Sequence, residues 1–480
     1  MDPGARSVAP AMASAVSEVR VLAREHRGLL IVLVLGLIVR AAIVWATVGL
    51  PLRIVDEQHY HELAGHLRHE QAFAMDTGPT SMRPPLYPLF VAAIWTLSGR
   101  DSLEAVRIAQ GLLGLLNVVL LYVIGLRLYG RRVAVLSAAG LCFYPSLLFL
   151  TALLLSEVLF TLLLTATVLA YVALVEKPRA ALALATGLAL GLAALTRSVM
   201  WPLIFALVPL VFLTTRSTRA RRAQLAVWAL VGYAVVVVPW AARNTRLQGT
   251  VTVIDTLGGL NLHMGNYEYT PFDRMWDAVS LEGERHWAAP LRREHPDVSI
   301  WTEGQKEKWA QERAIAYMSA NPWLTLKRSL VKFADFWGLE RELLGGFRQG
   351  LYAPPPWLAL MAVALVGLTY VGAVLLASIG IFVAPPADRR AHILLLLLIV
   401  AMCAVHTIVF GHSRYHVPLM PILLLYAAAA CQLHVWQRMR RRIAVAAVPV
   451  FTMALMLTIW LRELLVVDRG RLEELWRMIT

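Results

Sequence analysis

The residues best suited to chemistry lie in one polar stretch early in an otherwise apolar chain, residues 55–88, VDEQHYHELAGHLRHEQAFAMDTGPTSMRPPLYP. It opens on the adjacent carboxylates Asp56 and Glu57 and closes on Arg83-Pro84-Pro85. Carboxylates held at a membrane surface are costly unless they serve something. A carboxylate there can take the proton of an attacking hydroxyl. An arginine can hold a phosphate through two parallel N–H groups. Asp56 is also a favoured residue for capping a helix that begins near Glu57. The two prolines force an extended turn at Arg83, which could otherwise simply snorkel to the interface.

Other polar residues punctuate the apolar runs. Glu157 lies in LLLSEVLFTLL and Arg197 in LAALTRSVMWPL, where ionisable side chains at the mouths of apolar helices are seldom decorative. Residues 258–266, GGLNLHMGN, carry glycines that let a backbone approach a ligand closely, with Asn261 and Asn266 as candidate contacts. This is not a phosphate-binding P-loop, since no Gly-Lys-Ser/Thr follows; a plain turn remains the alternative. His406 and the group His412, Arg414 and His416 come late in the chain. The histidines His59, His61, His66 and His69 do not fix a metal-ligand set by spacing; a solvated helix face explains them equally well.

These residues must be positioned by membrane helices. The 480-residue chain is 58% hydrophobic with a mean hydropathy of +0.62, which excludes a soluble enzyme. The apolar runs do not alternate as barrel strands would. The fold class expected is an all-α polytopic membrane protein with about 11–13 transmembrane helices. The net charge of +14 reflects arginines clustered between apolar runs, which read as cytoplasmic anchors rather than a nucleic-acid surface. Cys142, Cys403 and Cys431 all fall within apolar runs, so neither a disulfide framework nor a metal cluster is suggested. The first run, 29–50, is too long for a signal-peptide core.

In order, residues 1–28 form a basic cytoplasmic arm, and 29–242 a transmembrane module containing a first external loop, 51–85. Residues 243–355 form a tryptophan-rich external subdomain, 356–462 the last transmembrane helices and 463–480 a tail. Helices are expected at about 105–126, 133–150, 152–174, 180–196, 199–214 and 224–240. Later ones fall at about 357–384, 391–410, 415–434 and 443–462. Placing every basic turn inside requires the short apolar segment 86–97 not to cross. Asp56, Glu57, Arg83, Glu157, Arg197 and Arg414 then share the external face.

The ordered motifs resemble the GT-C superfamily of membrane glycosyltransferases, in its protein O-mannosyltransferase-like and aminoarabinose-transferase-like branch. They are Asp56-Glu57 with Tyr60 and Ala64 following, RPPLYP at 83–88, SE at 156–157, LTR at 195–197, GGLNL…GN at 258–266 and RYHVPL at 414–419. The resemblance implies a polyprenyl-phosphate-linked sugar donor, Asp56 as general base on the acceptor, and Arg83 near the lipid phosphate. It makes Glu57, Tyr60, Glu157, Arg197, Asn261, Asn266 and Arg414 substrate-binding candidates. Some relatives bind a metal, so a divalent ion stays open although no ligand set is matched; no other cofactor is expected. The large soluble C-terminal domain of oligosaccharyltransferases and the β-trefoil insert of eukaryotic O-mannosyltransferases are not recognisable. The acceptor therefore stays open among lipid, glycan and protein. The rival class is a transporter of a lipid or lipid-linked sugar, which would favour paired repeat halves and charges spread through the membrane depth; the sequence shows neither.

Overall fold

The computed structural model describes residues 25–341, 355–441 and 443–470. The basic residues Arg20 and Arg24 of the N-terminal arm and the end of the expected tail lie outside them. The protein is an all-α polytopic membrane protein; its only strands among the described residues are a two-residue hairpin, β1 (Ala74–Met75) and β2 (Gly78–Pro79).

The first half runs α1 (Arg27–Ala46), α2 (Val55–His69), the hairpin, α3 (Leu86–Ser98), α4 (Leu103–Leu128), α5 (Arg131–Cys142) and α6 (Pro145–Thr151). It continues with α7 (Glu157–Glu176), α8 (Ala180–Thr196), α9 (Ile204–Thr214) and α10 (Arg219–Gln248). The segment after α10 supplies α11 (Gly258–Met264), α12 (Ala289–Glu294), α13 (Glu303–Ala320) and α14 (Pro322–Phe336). The chain closes with α15 (Pro356–Val383), α16 (Arg389–Ile408), α17 (Met420–Ala430), α18 (Leu433–Arg441) and α19 (Ile443–Arg462). Among the described residues seven helices are long and apolar enough to cross a membrane, or nine if each of two bent pairs is one span. Three shorter apolar helices add to these. One of them, α3, has 13 residues and is roughly 20 Å long, against a hydrocarbon core of about 30 Å. It buries Tyr87, Val91 and Trp95 against its neighbours.

Local chemistry sets the ends. Ser102 and Thr218 cap α4 and α10 by accepting from the backbone N–H of Ala105 and Arg221. Gly99 and Gly249 stop α3 and α10 in the left-handed conformation, φ 73° and 67°. Helices α8 and α10 pack so closely that a Cβ at Gly187 would meet the Ala229 carbonyl and one at Gly232 the Leu184 carbonyl.

Several expected helices are interrupted, and the interruptions build the site. The run expected over 133–150 bends by 49° between Cys142 and Pro145. The next helix begins at Glu157, not at 152, because residues 152–156 leave helical geometry. Two polar side chains on α4 take up the backbone this frees. Gln110 Nε2 donates to the carbonyls of Thr151 (3.1 Å) and Leu153 (2.8 Å), and Arg107 Nε donates to that of Ala152 (2.8 Å). Arg107 also reaches the carbonyls of Thr47 (2.6 Å) and Leu50 (2.9 Å), which ties the end of α1 to the same break. Unpaired backbone groups at membrane depth are tolerated only when satisfied in this way. Helix α10 runs on to Gln248, past the boundary expected at 242. The run expected over 415–434 becomes a 3-10 turn, Ser413–Leu419, leading into α17, with a 72° bend before α18.

Candidate active site

Asp56 enters from the first turn of α2, and its neighbour explains why that turn is fixed. Glu57 is buried, and its Oε2 accepts from the backbone N–H of Arg53 (3.3 Å) and Ile54 (3.2 Å) while Oε1 accepts from Leu154 N–H (3.0 Å). Glu57 thus joins the start of α2 to the break before α7 by accepting from three backbone N–H groups. The capping role first considered for Asp56 is carried by Glu57, which leaves the Asp56 side chain, 28% exposed, to face the site.

Arg83 meets it from the other end of the loop. Its Nη2 donates to Asp56 Oδ1 at 2.7 Å and to His59 Nδ1 at 2.8 Å, and its guanidinium lies over the Tyr60 ring, 5.6 Å from the centroid. The strand leading to Arg83 is gripped from two helices. Glu303, at the start of α13, accepts from Thr80 Oγ1 (2.5 Å) and from Ser81 N–H (2.7 Å). From the end of α10, Arg243 donates to the Thr80 carbonyl (2.6 Å) and the Phe73 carbonyl (3.1 Å), while Asn244 accepts from Ser81 Oγ (3.0 Å).

The second carboxylate, Glu157, opens α7 and is fully buried. Arg197, at the end of α8, donates Nη1 to Glu157 Oε1 at 2.8 Å and lies over the rings of Phe160 and Tyr415. Arg414, from the 3-10 turn before α17, joins both carboxylates: Nη1 to Asp56 Oδ2 at 3.3 Å, and Nε to Glu157 Oε1. Five residues from five separate elements therefore form one cluster, three guanidiniums around two carboxylates.

The electrostatics follow from that ratio. Burial pushes the Asp56 carboxyl up, but Arg83, Arg414 and Arg197 outweigh it and hold Asp56 below its ordinary value. His59 is pushed down by burial and then by Arg83, so it is kept as the neutral ring that can accept from the guanidinium. Asp255, which the sequence reading passed over, is buried with Oδ1 accepting from Leu257 N–H at 3.2 Å; burial raises its carboxyl although Ser198, that N–H and Arg83 oppose the shift. An isolated Asp in VIDTLGGL carries no local signal of this placement.

Of the sequence candidates, Asp56, Tyr60, Arg83, Glu157, Arg197 and Arg414 come together. Glu57 supports them from behind. Asn266 lies apart, donating to the carbonyls of Leu262 (2.9 Å) and Ile408 (3.1 Å) and accepting from Lys332 Nζ (2.7 Å). Asn261 sits half-buried within α11, its carbonyl accepting from Gly265 N–H at 3.0 Å.

An excess of guanidinium over carboxylate suits an anion. A divalent cation beside Asp56 would face all three arginines, so the cluster does not fit a metal. Among the described residues the group that could hold one is Glu62, His66 and Asp76, whose ligand atoms lie within 4.8 Å of one another on the flank of α2 and the hairpin. His66 belongs to the histidines noted in the sequence; here its Nε2 is already 3.0 Å from Asp76 Oδ1.

A family model described as dolichyl-phosphate-mannose-protein mannosyltransferase matches residues 82–242. That segment holds Arg83, Glu157 and Arg197. No curated protein matches the chain by sequence. Among solved structures it is similar to the apo oligosaccharyltransferase of Archaeoglobus fulgidus, with 16% identity and a TM-score of 0.50, over 90% of this chain and 54% of that one. The chain thus spans about half the length of that enzyme. ArnT from Cupriavidus metallidurans bound to undecaprenyl phosphate is a more distant likeness, with 14% identity and a TM-score of 0.42, over 83% of this chain and 77% of that one. The chain thus has the membrane-helical fold of that oligosaccharyltransferase, and the segment matched by the mannosyltransferase family model carries three of its five clustered charges.

Proposed function

We propose that the protein transfers a sugar from a polyprenyl-phosphate donor to a hydroxyl of a lipid, glycan or protein on the extracytoplasmic face, with inversion at the anomeric carbon. The observation that carries this is the cluster itself. Three guanidiniums converge beside apolar helices, so an anionic head and a hydrocarbon tail can be held together. The mannosyltransferase model over residues 82–242 supports the same substrate class. The side of the membrane is argued from charge: the basic turns at Arg127–Arg132, Lys177–Arg179, Arg216–Arg222, Arg389–Arg390 and Arg438–Arg442 belong in the cytoplasm.

The chemistry needs no metal. The acceptor oxygen attacks the anomeric carbon and passes its proton to an Asp56 carboxylate oxygen. The bond from that carbon to the phosphate oxygen breaks, and polyprenyl phosphate leaves with its charge held by arginine. In the resting cluster the arginines hold the Asp56 carboxyl below its ordinary value, which weakens it as a base. A phosphate that takes over Arg83 and Arg414 removes that restraint, so Asp56 gains basicity when the donor is bound.

Asp56→Asn tests this in membranes supplied with a radiolabelled polyprenyl-phosphate sugar. Loss of the base is expected to lower transfer roughly 10²–10⁴-fold with the protein intact. Undiminished transfer would refute the role of Asp56. No transfer by the wild-type protein from any such donor would refute the substrate class.

A further inference from the structure

Glu157 has one carboxylate oxygen in use and one idle. Oε1 receives both Arg197 Nη1 (2.8 Å) and Arg414 Nε, whereas Oε2 is buried and has no hydrogen-bond partner. Glu157 is 0% exposed. A buried, charged acceptor left without a donor is costly and calls for an explanation. Two hydroxyls close to it in the chain are engaged elsewhere: Thr161 Oγ1 donates to the Glu157 backbone carbonyl at 2.6 Å, and Ser156 pairs with Tyr60.

The idle oxygen therefore asks for an O–H or N–H brought by a ligand. On the function proposed above, on which this inference rests, the parts of the substrates can be taken in turn. The donor phosphate is an anion with acceptor oxygens only, and would be repelled. The polyprenyl chain has nothing to donate. The reacting hydroxyl of the acceptor gives its proton to Asp56. The donor sugar is the substrate part whose hydroxyls sit next to the phosphate. Glu157 shares Arg414 with Asp56 and holds Arg197 as well, so it lies among the cations that would receive the phosphate. The sugar hydroxyl nearest that phosphate is the one on C2, next to the anomeric carbon.

We propose that Glu157 Oε2 accepts a hydrogen bond from the C2 hydroxyl of the donor sugar, so that Glu157 reads the donor as well as holding two arginines. This contact has kinetic weight. Positive charge develops at the anomeric carbon as the phosphate departs, and a hydrogen bond from the 2-hydroxyl to a carboxylate strengthens as it does. The site would accept hexoses and pentoses that carry a donor on C2, and reject analogues that leave the buried oxygen unpaired.

The test compares three donors on the wild-type protein: the polyprenyl-phosphate sugar that is transferred best, its 2-deoxy form, and its 2-amino-2-deoxy form, which restores an N–H. kcat/KM is expected to fall on the order of 10²-fold for the 2-deoxy donor and to recover at least in part for the 2-amino donor. In Glu157→Gln the parent donor should slow, and the gap between parent and 2-deoxy donors should close to within a few-fold. A 2-deoxy donor used as well as its parent overturns the assignment while leaving the proposed function standing, and so does a gap undiminished in Glu157→Gln. If that variant does not fold, the wild-type series decides alone: a loss without recovery by the 2-amino donor also overturns it. Absence of transfer from every polyprenyl-phosphate sugar instead removes the function on which the inference rests.

Discussion

Arg414 is the residue whose replacement separates a structural cluster from a catalytic one. It is the guanidinium that bonds both carboxylates, with Nη1 on Asp56 at 3.3 Å and Nε on Glu157. In Arg414→Lys the charge stays, but a single ammonium cannot reproduce two donors set apart on a rigid plane. One charge-assisted contact is lost, worth about 1.5–3 kcal/mol, and the side chain is only 12% exposed, so solvent screens little of it. Neither carboxylate is left alone, because Asp56 keeps Arg83 and Glu157 keeps Arg197. The loss should therefore stop short of the ~3–5 kcal/mol typical of stranding a buried charge. Transfer should fall much further. Removing one preorganised donor from the charge that develops on a leaving group costs about 10²–10³ in kcat. The assay is initial-rate transfer from a polyprenyl-phosphate sugar by purified protein in detergent, well below its melting temperature, with melting curves measured on the same samples. If Arg414→Lys melts lower but turns over at the wild-type rate, Arg414 only holds the helices together. If activity falls no further than the folded fraction, the same conclusion applies.

Two other residues have contrasting roles to check. His59 accepts from Arg83 only as a neutral ring, and burial, then Arg83, places its pKa below 6.5; the unfolded chain therefore binds the proton more readily, and stability should be full above about pH 6.5 and drain away as pH falls from there through the folded value. His59→Asn should flatten this acid limb of melting temperature against pH, and an unchanged limb would show that His59 is not its source. Glu57→Ala strips the acceptor from three backbone N–H groups and should cost roughly 2–4 kcal/mol, whereas Glu57→Gln keeps one accepting oxygen and loses less. Both should transfer at near wild-type rates per folded molecule; a Glu57→Gln protein that melts normally but is inactive would place Glu57 in contact with substrate instead.

The fold was largely legible because hydrophobic runs and arginine-rich turns are local properties of a chain, and the polytopic helical class follows from them alone. The breaks were not. The sequence placed helices at 133–150 and 152–174 but neither the bend at 142–145 nor the irregular stretch at 152–156, and what supports that stretch is distant: Gln110 and Arg107 donate to the carbonyls around residue 152, and Glu57 takes the N–H of Leu154. The adjacent acids were visible as a pair, but their division of labour was hidden. On the first turn of a helix, successive side chains point about 100° apart, so one carboxylate turns back to the chain and the other outward. Which does which depends on where Leu154 lies.

The same limit applies to the arginines. Arg107 and Arg414 are both largely buried beside apolar helices, and only Arg414 stood out in the sequence, through the RYHVPL motif. What distinguishes them is the kind of acceptor each meets. Arg107 makes short hydrogen bonds to the carbonyls of Ala152, Thr47 and Leu50, dipoles that belong to the scaffold and cannot leave it, while the Glu104 carboxylate lies farther off at 3.8 Å. Arg414 meets two carboxylate side chains, and side chains can exchange one partner for another when a stronger anion arrives. A phosphate can compete for the second kind of arginine without unravelling backbone, and not for the first. The pairing spans 358 residues between Asp56 and Arg414, which no local pattern encodes. Its presence makes the cluster exchangeable, and an exchangeable cluster of surplus positive charge beside apolar helices is what a lipid-linked phosphate requires.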